Sequence, residues 1–81
     1  MRLDKYLKVS RLIKRRTIAN EACDSGRVLI NGKVAKASAE VKLDDIIEIQ
    51  FGNKSVKVKV TEILDTSKKE LAKDMFTYVT E

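Results

Sequence analysis

Lys14, Arg15 and Arg16 stand in succession where the apolar pattern of a helix begins, and three adjacent cations at that point suit the binding of phosphate. Two physical sources act there. The side chains bring charge, arginine with a planar grip on two oxygens, and a helix start adds unpaired N–H groups and the positive end of the helix dipole. That dipole makes the triplet locally unfavourable, by about 0.3–1 kcal/mol per cation. An anionic partner therefore explains the placement better than a merely solvated surface does. Arg2, Lys5, Lys8 and Arg11 precede the triplet, and share one face with it if two short helices pack side by side.

Other chemistries find no residues to carry them. The chain has no histidine, which removes the usual base at neutral pH and every nucleophile–histidine pair. Cys23 is the single cysteine, so neither an internal disulfide nor a cysteine–histidine zinc site is expected. Asp44 and Asp45 read as turn residues before a strand, not as an acid–base dyad or a metal clamp. No catalytic residue, metal ligand or cofactor is expected. No apolar run reaches the roughly 20 residues that span a bilayer, and the charged start is unlike a secretory signal. A cytoplasmic protein without membrane contact is the expectation.

The charge is unevenly divided. Residues 1–36 carry ten cations against three acids, a net +7, and residues 37–81 carry seven against nine, a net −2. A basic half joined to a mildly acidic half orients the electrostatic surface toward a polyanion. No helix carries Asn, Gln or Arg at base-reading spacing, as a major-groove reader would. Aromatic residues make up 5% of the chain, and Phe51 and Phe76 suit a core, so a base-stacking platform is not evident. Recognition of folded RNA by shape and phosphate is the favoured reading.

Eighty-one residues make one small domain. Leu3, Tyr6 and Leu7 mark a first short helix, Ser10 to Lys14 a connection with Leu12 and Ile13 as buried anchors, and Arg15 to Ser25 a second helix. Ile18, Ala19, Ala22 and Cys23 form the apolar stripe of that second helix, with Asn20, Glu21 and Asp24 opposite. Gly26 is placed to end it. Val28 to Ile30 and Val34-Ala35 flank Asn31-Gly32, a strong two-residue hairpin signal. Ile46 to Phe51 reads as a strand, Gly52-Asn53 as a turn, and Val56, Val58 and Val60 alternate with polar neighbours in the next strand. Ser67 with Glu70 predicts a capped helix over 68–74, and Met75 to Val79 is a candidate last strand. The fold class is α+β: a helix–loop–helix packed on a small antiparallel sheet.

Arg2-Leu3-Asp4-Lys5-Tyr6-Leu7, Arg11, Lys14-Arg15-Arg16, Ala19, Gly26-Arg27-Val28, Asn31-Gly32, Lys36 and Ser38 together resemble the S4-type RNA-binding domain over residues 1–62. Residues 63–81 then form a C-terminal extension on the same domain. The stretch Lys5 to Arg16 and the tail Asp65 to Glu70 are similar to stand-alone bacterial proteins related to the fifteen-kilodalton heat-shock protein, and most like the RqcP family. That resemblance implies binding to rRNA and P-site tRNA on the obstructed large ribosomal subunit. It also implies support of a partner, RqcH, that adds alanine to stalled nascent chains. Carried over by position, it makes Arg2 and Arg16 the leading RNA contacts, followed by Arg11, Lys14, Arg15, Lys8 and Lys5, with Lys33 and Lys36 on the hairpin as secondary phosphate contacts. Asp4 fits an orienting acid in the first helical turn better than a direct contact, and Gly26, Asn31 and Gly32 are structural. A monomer is expected. The alternatives are a heat-shock-type rescue or recycling factor, a protein-interaction adaptor with a basic face, and the accessory domain of an RNA-modifying enzyme acting in trans.

Overall fold

The computed structural model describes residues 1–63 and 75–79. Two helices, α1 (Leu3–Val9) and α2 (Arg16–Asp24), precede five strands: β1 (Val28–Ile30), β2 (Lys33–Val34), β3 (Ile46–Phe51), β4 (Lys54–Val60) and β5 (Phe76–Tyr78). The strands form one antiparallel sheet in the order β2-β1-β3-β4-β5, as an α+β chain of this pattern should. Leu3, Tyr6 and Leu7 of α1 are fully buried in one core with Val28, Ile47, Ile49, Val58 and Val60 of the sheet.

No side chain caps α1. Its first amides are satisfied instead by the segment after β2: Leu3 N–H donates to the Ala39 carbonyl at 2.8 Å and Asp4 N–H to that of Ala37 at 3.2 Å. Arg2 forms a β-bridge with Glu40 alongside them. These bonds fix where the side chains of Arg2 and Asp4 begin. At the far end of α1, Arg11 takes φ 62°, a left-handed conformation usually left to glycine. Relief of that strain, roughly 1–2 kcal/mol, exceeds the roughly 0.5–1 kcal/mol of extra chain entropy a glycine loses. That relief is therefore expected to offset much of what Arg11→Gly loses with the side chain's own interaction, so that a thermal scan shifts the melting temperature little.

Helix α2 ends where Gly26, at φ 81°, lets its own N–H reach the Cys23 carbonyl and that of Arg27 reach the Ala22 carbonyl. Ala19 and Cys23 are buried, and their small side chains let α2 lie close on α1. Burial, with the fields of Asp4 and Asp24, pushes the Cys23 thiol up to about 11, so it stays protonated and unreactive near neutral pH. The expected stripe was too wide. Ile18 is 51% exposed, because it lies about 100° around the helix from Ala19, outside the sector of α2 that faces α1 and β1. Of the two anchors in the connection, Ile13 is buried and Leu12 only partly so.

Asn31 and Gly32 both have positive φ, 53° and 83°, and join β1 to β2 in the register Ile30↔Lys33. The Asn31 side chain also accepts from the Ile46 amide and donates to Asp45, tying the hairpin to the start of β3. Asp45 in turn accepts from the Lys42 amide at 2.9 Å, the turn chemistry anticipated for the acidic pair. Phe51, assigned to the core from sequence, is 47% exposed. It pairs with Lys54 at the tip of the β3–β4 hairpin, where residues 50–55 are all exposed.

The candidate last strand is β5, paired with β4. The buried hydroxyl of Tyr6 donates to the Met75 carbonyl at 2.6 Å, linking α1 to this C-terminal strand. Thr61 and Glu62 amides also donate to that carbonyl, so Tyr6→Phe leaves it partnered. The variant is expected to lose only about 1 kcal/mol of stability, with faster amide exchange concentrated at β5. The helix expected over 68–74, with Ser67 and Glu70, lies outside the described residues.

Candidate RNA-binding face

Asp4 is 2% exposed although it sits in the first turn of a seven-residue helix. A carboxylate in that position needs partners on every lone pair, and it has them. Oδ1 accepts from the Lys5 amide at 2.8 Å and from Arg2 Nε at 3.2 Å. Oδ2 accepts from Asn20 Nδ2 at 3.2 Å and faces Arg16 Nε at 3.4 Å. Arg2 Nη2 lies a further 3.5 Å from Oδ2. Burial alone would push the carboxyl up. The bonds from Asn20, Arg16 and the Lys5 amide, with the charge of Arg16, outweigh it and hold Asp4 below its ordinary value.

The result is a clamp between the chain just before α1 and the first turn of α2. Arg2 and Arg16, fourteen residues apart, meet on one buried acid while about half of each side chain stays exposed. Their guanidinium planes are therefore set before any ligand arrives, which lowers the entropy lost on binding. Within α2 itself no acid or cap offsets the cations at its start. Arg15 is the N-cap in an extended conformation without a side-chain cap bond, Arg16 is the first helical residue, and the first turn holds no acid.

Lys14 and Arg15 are exposed just ahead of Arg16, and Arg11 is exposed at the end of α1. Lys5 and Lys8 are partly exposed along α1. Lys36 is exposed next to Ala37, whose carbonyl receives the Asp4 amide, so the chain brings it to the start of α1. Lys33 is exposed on the edge strand β2. Asn20 was not singled out from sequence, where it counted only as part of the polar side of α2. The signal was its i, i+4 spacing from Arg16: two residues so spaced lie on one row of a helix, so both must face α1. Among the described residues no group of carboxylate, cysteine or histidine side chains could hold a metal ion, and no helix is long and apolar enough to cross a membrane.

Residues 1–47 match the S4 domain family. The RQC P-site tRNA stabilizing factor of Streptococcus pneumoniae is 56% identical over all of this chain and 92% of its own length, and that of Bacillus subtilis 58% identical over all of this chain and 94% of its own. Among solved structures, trimeric Heat Shock Protein 15 of Vibrio cholerae superposes with a TM-score of 0.90, covering 98% of this chain and 81% of that one at 28% identity.

Proposed function

The chain belongs to the S4 domain family and to the family of RQC P-site tRNA stabilizing factors, and we propose that it steadies P-site tRNA by binding RNA, with no chemistry of its own. The observation that carries this reading is the Asp4 clamp. It presents two preset guanidinium groups at the basic start of α2, whose first turn holds no acid of its own, an arrangement suited to phosphates held at fixed spacing in folded RNA. In this reading Arg2 and Arg16 contact RNA directly, Lys5, Lys8, Arg11, Lys14 and Arg15 extend the face, and Lys33 and Lys36 add phosphate contacts from the hairpin. The ligand is the obstructed large ribosomal subunit in the cytoplasm, where the protein touches both rRNA and P-site tRNA and supports alanine tailing by RqcH.

The pairing of β5 with β4 supports treating residues 63–81 as an extension of the same unit, and we take the acting form to be a monomer. Co-sedimentation with large subunits carrying peptidyl-tRNA tests the reading. Arg2→Ala and Arg16→Ala should leave the fold intact, as exposed substitutions do, and should reduce the bound fraction; binding by both at the parental level would overturn it. The likeness to Heat Shock Protein 15 favours one second reading, rescue or recycling of blocked subunits without tailing. Persistence of alanine tails after deletion of the gene would select it.

A further inference from the structure

A groove of about 390 Å³ runs beside the clamp, lined by Asp4, Arg16, Thr17, Asn20 and Glu21. Its two ends differ. Arg16 stands at the N-terminal end, and Glu21 lies five residues along α2, about 7.5 Å down the axis. Glu21 is exposed and its carboxylate has no hydrogen bond or ion pair among the described residues. Asn20 gives one Nδ2 hydrogen to Asp4 and keeps its carbonyl Oδ1 and a second N–H for a ligand. The end of the groove away from Arg16 thus carries the acceptors, the Glu21 carboxylate foremost.

An unpaired acid in a phosphate-binding groove repels the backbone of RNA. It suits the site only where the ligand brings N–H or O–H donors, and RNA carries these on base edges and on the ribose 2′-hydroxyl. Guanine alone among the four bases sets two parallel N–H groups, at N1 and N2, opposite the two oxygens of a carboxylate.

We infer that this groove takes one unpaired guanine of the bound RNA, with Glu21 accepting from its N1 and N2 groups while Arg16 holds the adjoining phosphate. The inference rests on the RNA-binding reading above. It makes Glu21 a source of base preference on a face otherwise built for phosphate.

Retention of hairpin RNAs that differ in one loop nucleotide tests it with the full chain. The parent should hold a guanine loop about five-fold more tightly than the same loop with inosine, which lacks the N2 amino group; this is the lower end for a bidentate base contact, because the groove is open to water. Glu21→Gln should lose that preference, with the inosine loop held more tightly than by the parent because an acid has left a basic face. Equal binding of guanine and inosine loops by the parent would overturn the proposal, as would an undiminished preference in Glu21→Gln. A preference that survives inosine but disappears with a 2′-deoxy loop would assign the contact to ribose and overturn the base assignment. Arg16→Ala separates the two layers: it should weaken all loops alike. A parent that retains no hairpin of any loop would remove the RNA-binding reading, and this one with it.

Discussion

Asp4→Asn is expected to weaken binding to peptidyl-tRNA-bearing large subunits on the order of ten-fold, although the net charge of the chain rises by one. The direction separates two accounts of the same face. If the cations act only by number, removing an acid strengthens binding to a polyanion. If they act by preset geometry, the loss is that of ordering two long side chains again at each binding event, roughly 0.5–1.5 kcal/mol for each. Arg2 and Arg16 both lean on the Asp4 carboxylate, and two such losses exceed the gain from one exposed unit of charge. The effect should shrink when Arg2 and Arg16 are already alanine, because coupled residues do not add.

The same substitution reads out in stability. The lowered carboxyl of Asp4 means that its contribution is fully present above its ordinary value of 3.8 and is lost as pH falls below that value through the folded-state one. Asp4→Asn should lose about 1–2 kcal/mol near neutral pH and show a shallower decline in stability on acidification below about pH 4. Between about pH 5 and 7 the protein's side of the binding should be flat, since there is no histidine to titrate there.

Arg16→Ala is expected to have an effect of the same order: about ten-fold weaker binding, with the fold intact and little less stable. Hydrogen bonds to charged groups contribute about 1.5–3 kcal/mol each, and Arg16 can offer more than one to a phosphate. The fold loses little, because Asp4 keeps Arg2, Asn20 and the Lys5 amide, and a cation unfavourably placed at the start of a helix has gone. Salt titration adds a second check. The slope of log affinity against log salt should fall by about 0.7–0.9 for each phosphate that is no longer neutralised. Arg16→Lys should restore that slope and only part of the affinity, since an ammonium carries the charge without the planar fork.

Local chemistry made most of the fold legible. Asn31-Gly32 needs two positive φ angles in succession, Gly26 needs one, and the alternation of Val56, Val58 and Val60 admits one buried face; each of these constraints operates within a few residues. The two misplaced side chains depend on what lies above them. Ile18 and Phe51 are apolar in elements that do have an inner face, yet one lies outside the contact sector of α2 and the other at an exposed hairpin tip. The basic residues were legible one by one from type and position. The clamp was not, because it joins Arg2 and Asp4 to Arg16 and Asn20 across two helices. Only the packing of α1 on α2 brings them together.

A nucleotide-resolution map of the RNA crosslinked to this protein in cells tests the central claim most directly. The account predicts crosslinks concentrated on P-site tRNA and one neighbouring stretch of large-subunit rRNA, and depleted in both places by Asp4→Asn and by Arg16→Ala. Crosslinks scattered over unrelated RNAs, or unchanged by either substitution, would contradict it.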